Sequence, residues 1–183
     1  KMDGRNTDAL SVWEIMRIGL LSDTHGWLDV KIEEFFKDCD EVWHCGDIGN
    51  MAVAERLATG FKLRAVYGNI DGGELRQMFP EVSVFEVDGV KVLMTHIGGY
   101  PGRYDTRIRE LLDRDVPQLF VCGHSHILKV MYDKKLKCLH INPGAAGNYG
   151  FHKVRTAVRF TIEKGNIKDL EVVELKKGYC GEV

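Results

Sequence analysis

Apolar residues in this chain gather into short runs, and five of these runs stop at a residue able to bind a metal. Arg17 to Leu21 leads into Ser22-Asp23-Thr24-His25, and Glu41 to Cys45 leads into Gly46-Asp47. Leu63 to Tyr67 leads into Gly68-Asn69, Val90 to Thr95 into His96, and Gln118 to Cys122 into Gly123-His124-Ser125-His126. Short continuous apolar runs bounded by turn residues read as buried strands. Between the first of them the spacing becomes helical. Val30 to Asp38 and Met51 to Thr59 each show one apolar side, with Gly60 as a C′ stop for the second. Asp71-Gly72-Gly73-Glu74 reads as an N-cap box opening a brief helix that Pro80 ends. This strand–helix alternation predicts parallel strands with right-handed crossovers.

The pattern changes after residue 80. Val84 to Val87 and Val90 to Thr95 flank Asp88-Gly89, the signature of a type I′ hairpin. Tyr104 to Arg114 predicts a helix carrying Ile108, Leu111 and Leu112 on one face. Ile127 to Tyr132 is expected to pair with Leu136 to Ile141, and Thr156 to Glu163 with Ile167 to Leu175. The fold class is therefore α/β, with two mixed sheets packed face to face and helices on their outer faces.

In open α/β sheets, ligands bind beyond the C-terminal ends of the strands. That rule predicts Asp23, His25, Asp47, Asn69, His96, His124 and His126 together on one edge of one sheet. Singly, the aspartates could be turn residues or helix caps, and His96 a satisfied core histidine. Jointly, each at a strand end, they provide enough nitrogen and oxygen donors for two metal ions. Paired metals mean hydrolysis more often than structure. Two divalent cations bring four positive charges against two carboxylates. Excess positive charge would remain after a hydroxide joined, which suits a phosphate ester as substrate. Nitrogen and oxygen donors without cysteine favour manganese, with iron, zinc, cobalt or nickel as alternatives, over calcium or a thiolate zinc. His44, His140 and His152 have no such company, and His44, inside an apolar run, is expected to be buried and structural.

Composition narrows the setting. A chain of 183 residues with 25 basic and 27 acidic side chains suits one domain and gives no general nucleic-acid surface. Cys39, Cys45, Cys122, Cys138 and Cys180 are odd in number and form no C-x-x-C pair, which predicts reduced thiols in a cytoplasmic protein. No stretch is long and apolar enough to span a membrane. Residues 1–15 are polar, without the apolar segment of a signal peptide. They are expected to be a leader or appended remnant, with a single domain over 16–183. A homo-oligomer stays open.

The five blocks resemble the calcineurin-like metallophosphoesterase superfamily, whose signature D-x-H, G-D, G-N, H and G-H-x-H they match in order. The short length, the Ser22-Asp23-Thr24-His25-Gly26 opening, Gly68-Asn69-Ile70-Asp71 and Ile141-Asn142-Pro143-Gly144-Ala145 are most similar to small YfcE-like phosphodiesterases of bacteria and archaea. The resemblance spans Met16 to about the C-terminus. It implies a four-layer αββα sandwich. It implies one metal on Asp23, His25, Asp47 and His126 and another on Asp47, Asn69, His96 and His124, with Asp47 bridging. It further implies hydrolysis of a small phosphodiester by a metal-bound water or hydroxide, in line with the leaving group. One departure stands out: many members carry histidine after the asparagine, where it helps protonate the leaving oxygen, and this chain carries Ile70. Weak action on alkyl monoesters and better action on aryl diesters follow, with His152 or Tyr104 as substitute donors. Arg103, in the glycine-rich segment after His96, is a candidate phosphate clamp. Asn142 to Gly144 is expected to be a supporting turn. A non-catalytic protein-binding scaffold of the same fold is the alternative, disfavoured by the complete ligand set. A repair-type nuclease is disfavoured by length and charge.

Overall fold

The computed structural model describes residues 15–177. The leader expected over 1–15 lies almost entirely outside them, as does Cys180. The elements run β1 (Met16–Leu21), α1 (Val30–Phe36), β2 (Glu41–His44), α2 (Met51–Gly60), β3 (Lys62–Ala65), α3 (Gly73–Met78), β4 (Val82–Val87) and β5 (Val90–Thr95). They continue with β6 (Gly99–Tyr100), β7 (Arg103–Tyr104), α4 (Thr106–Asp115), β8 (Leu119–Val121), β9 (Leu128–Asp133), β10 (Cys138–Pro143), β11 (Val154–Glu163) and β12 (Asn166–Lys176).

Two five-stranded sheets form, ordered β12-β11-β1-β2-β3 and β4-β5-β8-β10-β9. β1, β2 and β3 are parallel, as are β5, β8 and β10. Between the sheets lies a core that includes Ile18, Leu20, Trp43, Val92, Met94, Val121, Ile141 and Phe160. Strand alternation sends Leu21, Val42 and Ala65 to the other face of the first sheet, where Ile32 and Phe36 of α1 and Val53 and Leu57 of α2 cover them. The outer face of the second sheet buries Leu93, Phe120 and Cys138 under Ile108 and Leu112 of α4. The result is the four-layer αββα sandwich. Asp88 and Gly89 both have positive φ, as the type I′ turn requires, and so do Lys164 and Gly165. Gly165 N donates to Asp88 O at 2.9 Å, which joins the two hairpin tips.

Several local expectations are corrected. The helix expected from Tyr104 starts at Thr106, because the Asp105 side chain accepts from Arg107 N and caps it. Tyr104 instead pairs with Gly99 in a small two-stranded ribbon. Gly60 is the last residue of α2 rather than a left-handed stop, and the helix is followed by extended Phe61. Asp71 does not cap α3. Gly72 occupies that position without a side-chain bond, because the Asp71 carboxylate is engaged elsewhere.

Trp43 shows how the inner layer is held. Its ring meets Phe85 of the second sheet edge-on at 5.0 Å and Phe160 at 5.8 Å. Its Nε1 donates to the buried Glu41 carboxylate at 3.0 Å, which Arg64 Nε also reaches at 2.6 Å and Lys62 Nζ at 2.6 Å. Burial alone would raise the Glu41 pKa, but these three donors outweigh it and hold it down at about 2. A depressed folded pKa stabilises above the unfolded value and loses that contribution as pH falls through the folded one. Glu41 should therefore support the fold above about pH 4.5 and lose its contribution between there and about pH 2. Glu41→Gln is expected to lower unfolding stability at neutral pH by about 1–3 kcal/mol. It should also flatten the acid limb of a denaturation series followed by tryptophan fluorescence.

Candidate metal centre

The seven expected ligands do come together, but not on one sheet. Asp23 and His25 follow β1, Asp47 follows β2 and Asn69 follows β3, all in the first sheet. His96 follows β5, and His124 and His126 follow β8, in the second. β5 pairs with β4 and β8 rather than continuing the β1–β3 series, so the site sits where the strand ends of two sheets meet.

Backbone bonds then lock the loops. Asp23 N donates to Gly46 O at 3.0 Å, His25 N to Asp47 O at 3.0 Å, and Gly26 N to Ile48 O at 2.7 Å. His124 N donates to Asp23 Oδ2 at 3.1 Å, which ties the second sheet to the first. Asp23, His25, Asp47, His124 and His126 all have left-handed backbones, with φ between 49° and 68°. Such conformations are uncommon outside glycine and persist where surrounding structure over-determines them, often at functional sites. Gly68 is needed for close approach, since a methyl group there would overlap the Asp47 carboxylate.

Two donor clusters result, Asp23–His25–His126 and Asp47–His96–His124. His25 Nε2 is 3.3 Å from His126 Nε2, and His126 Nε2 is 3.1 Å from Asp23 Oδ1. Asn69 Oδ1 and Asp47 Oδ1 lie 3.1 and 3.3 Å from His96 Nε2. Asp47 Oδ2 faces the first cluster, 3.8 Å from His25 Nε2. One carboxylate thus serves both.

Hydrogen-bond direction shows what the clusters lack. Gly147 O can only accept, so His152 must donate to it from Nε2, at 2.9 Å. His152 Nδ1 is then an acceptor and takes the Nδ1 proton of His126 at 3.3 Å. That leaves the His126 Nε2 lone pair facing Asp23 Oδ1, a buried oxygen with no hydrogen-bond partner. Two acceptors face each other, an arrangement that a cation satisfies. His96 gives its Nδ1 proton to Cys45 O at 2.8 Å, which turns Nε2 toward Asn69 and Asp47; a proton on Nε2 bonds Asp47, and a metal ion there would take that proton's place. Burial opposes charge on His96, but its bond to Asp47 and the charges of Asp23 and Asp47 raise its pKa overall. The same bond, against burial, lowers that of Asp47. The donor set fits divalent metals.

A match to the calcineurin-like phosphoesterase superfamily domain covers residues 16–165. This chain belongs to that superfamily. A probable metallophosphoesterase of Methanocaldococcus jannaschii is 28% identical over 136 residues, covering 71% of this chain and 68% of that protein. Among solved structures, a predicted phosphoesterase from Streptococcus pneumoniae has a TM-score of 0.62 at 24% identity, covering 92% of this chain and 95% of its own. Vacuolar protein sorting 29 from Cryptosporidium parvum reaches 0.68 at 19% identity, covering 89% and 99%. Both structural likenesses establish the shared fold. Superfamily membership makes this a phosphoesterase domain associated with divalent metal ions. No helix among the described residues is long and apolar enough to cross a membrane.

Three supporting residues carry no local sequence signal of their role. His44 is buried between the first two loops. It accepts from Gly46 N at Nδ1, at 3.1 Å, so its Nε2 donates to Thr24 Oγ1 at 2.9 Å, and Thr24 passes a bond to Ile48 O. Asp71 is also buried, and its carboxylate accepts from Ile48 N, Gly49 N and Gly68 N. The third is His152, outside the expected ligand set and a candidate proton donor. Both its nitrogens are committed, so it is an orienting partner rather than a free proton donor. Tyr104 is no better placed as a donor, because its hydroxyl bonds Asp133 at 2.8 Å and burial, with that carboxylate, raises its pKa. Asn142 donates to Gly123 O at 2.7 Å and Ser125 Oγ at 3.1 Å, which steadies the last loop. Arg103 is exposed beside a cavity that reaches His124.

His152→Leu should weaken metal binding by about 10–100-fold, as expected for loss of a histidine's orienting partner. Titration calorimetry on the metal-free protein measures it. An unchanged affinity would remove His152 from the site.

Proposed function

We propose that this protein is a dinuclear, metal-dependent phosphodiesterase acting on small phosphate esters. The observation that carries the reading is the Asp47 carboxylate, turned with one oxygen toward each donor cluster. On this reading Asp23, His25, Asp47 and His126 hold one ion, and Asp47, Asn69, His96 and His124 hold the other. When bound, the two ions, with manganese preferred, supply Lewis acidity toward phosphoryl oxygens and a nucleophile from water at neutral pH. His152 and Cys45 O keep the lone pairs of His126 and His96 aimed inward. Asn69 and Asp47 are held together because Ile70 N donates to Asp47 Oδ1 at 3.1 Å.

The diester preference comes from what stands beside the site. Ile70 offers no proton, and its side chain is half exposed. With His152 and Tyr104 committed, the leaving group departs without acid help. A substrate whose leaving group is already a weak base suits such a site. A cytoplasmic location is part of the same proposal, supported by the free thiols of Cys39, Cys45, Cys122 and Cys138. The scaffold reading is disfavoured because no ligand position is lost.

The test is a hydrolysis screen of the full chain reconstituted separately with manganese, zinc, iron, cobalt and nickel. Bis(p-nitrophenyl) phosphate is expected to react at least about 100-fold faster than glycerol phosphate, the scale of a missing general acid. Comparable rates on both would overturn the missing-acid argument, and p-nitrophenyl phosphate reacting as fast as bis(p-nitrophenyl) phosphate would overturn the diester preference. Tight metal binding without any hydrolysis would favour the scaffold.

A further inference from the structure

One buried side chain outside the donor clusters is unaccounted for. His140, on β10, is fully enclosed, and neither ring nitrogen has a hydrogen-bond partner among the described residues. Buried polar groups are normally paired, and leaving one unpaired costs about 1–3 kcal/mol. Its neighbour Phe120, at 5.3 Å between ring centroids, shows that an apolar ring packs well on this face. An apolar residue would fill the position without that cost. Burial, helped by the nearby Lys129 charge, pushes the His140 pKa down to about 4. At neutral pH the imidazole therefore offers one N–H and one lone pair.

His140 lines a cavity of about 330 Å³ beneath the segment from Ile97 to Asp105. At one end the cavity reaches His124 and Ser125, beside the second donor cluster. Arg103 and Lys129 bring two positive charges to it. Lys129 Nζ rests over the Tyr100 ring at 3.9 Å from its centre. Asp105 is the one acid in the lining, and its Oδ1 takes Arg107 N at 3.0 Å with Arg107 Nε at 3.5 Å, so an arginine partly balances its charge. A second cavity of about 490 Å³ lies on the other side of His124, walled by Ile127, Tyr149 and Phe151. The two cavities share His124 and Ser125 and differ in their other walls.

We propose that the cavity over His140 is a substrate subsite that takes one arm of the phosphodiester, and that this arm carries a second phosphate. Arg103 and Lys129 neutralise the added charge, and His140, enclosed just beneath the floor, offers its N–H as the overlying segment from Ile97 to Asp105 shifts to admit the phosphate. Two cations plus an N–H donor match a phosphate dianion better than a single carboxylate. The proposal rests on the phosphodiesterase reading for the position of the scissile group. His140, Arg103 and Lys129 are specificity residues in it and take no part in bond breaking.

A matched substrate pair tests this on the full chain loaded with whichever metal is most active in the hydrolysis screen. Thymidine 5′-(p-nitrophenyl phosphate) is compared with the same ester bearing a 3′-phosphate, with bis(p-nitrophenyl) phosphate as reference. The native chain is expected to favour the 3′-phosphorylated ester by about tenfold in kcat/KM, mainly through KM, the scale of one charge-assisted contact. Arg103→Gln or Lys129→Met should bring that ratio close to one, and His140→Leu should reduce it. A ratio near one in the native chain, with the reference ester hydrolysed, overturns the subsite and leaves the diesterase reading standing. A ratio that survives all three substitutions overturns it too. Loss of every hydrolysis would count against the diesterase reading, and the subsite would then be judged by binding. The imidazole nitrogen resonances of His140, identified by their loss in His140→Leu, should shift on adding thymidine 3′,5′-diphosphate and not thymidine. No shift overturns the subsite independently of turnover.

Discussion

Asp47→Asn is expected to lower the proposed diesterase activity by at least about a thousandfold, because it weakens the one carboxylate turned toward both donor clusters. Asparagine is the informative replacement. Asp47 has φ 53°, a left-handed backbone that asparagine tolerates better than alanine does. The amide oxygen can still accept from Ile70 N, so the loop keeps its bond. The variant should fold, bind fewer than two metals per chain and fail to turn over aryl diesters. Metal analysis beside an activity assay reads both. Retained activity would remove the shared-carboxylate mechanism. A second consequence concerns the metal-free protein. There His96 is held above its usual pKa by Asp47 and Asp23 despite burial. A raised folded pKa contributes stability at low pH and loses it as pH rises through the folded value. The variant should therefore be less stable than the native chain on the acid side and closer to it above the His96 titration. A melting series across pH in the presence of chelator measures that convergence.

The parts of this site that could be read from sequence are those announced by their own neighbours. A strand's apolar run followed by Gly46-Asp47 or Gly68-Asn69 marks a strand end and a ligand at once, because a close approach needs glycine and the chemistry needs oxygen. Sheet membership has no such mark. Asp88-Gly89 marks the pairing of Val90 to Thr95 with β4, but nothing local says whether that hairpin extends the β1–β3 series or, through β8, belongs to a second sheet. Asp71 failed for a related reason. Aspartate before Gly72-Gly73-Glu74 carries the local pattern of a helix cap, but the backbone amides of Ile48, Gly49 and Gly68 compete for the same carboxylate. The burial of His44 could be read from its apolar run and His152 was a candidate proton donor, but the bonds that His44, His140 and His152 make or lack could not be read. What each does depends on atoms brought by distant segments, such as Gly147 O for His152 and Thr24 for His44.

Asp71→Ala should be the most damaging substitution outside the ligands themselves. The carboxylate is 3% exposed and accepts from Gly68 N at 2.7 Å, Gly49 N at 2.8 Å and Ile48 N at 3.2 Å. It therefore binds the loop that carries Asp47 to the loop that carries Asn69. Hydrogen bonds to a charged group contribute about 1.5–3 kcal/mol each, and they are not additive. Removing the acceptor strands three backbone donors, two of them buried, so the expected loss of unfolding stability is about 4–5 kcal/mol. Metal affinity should fall by a further 10–100-fold, about the effect of losing a group that orients ligands. Asp71→Asn separates the two effects, since its single amide oxygen can serve only part of the set while its NH₂ faces other donors. It should fall between the native chain and alanine in denaturant unfolding. If alanine costs less than about 1 kcal/mol, the three bonds are not what holds the Asp47 and Asn69 loops together.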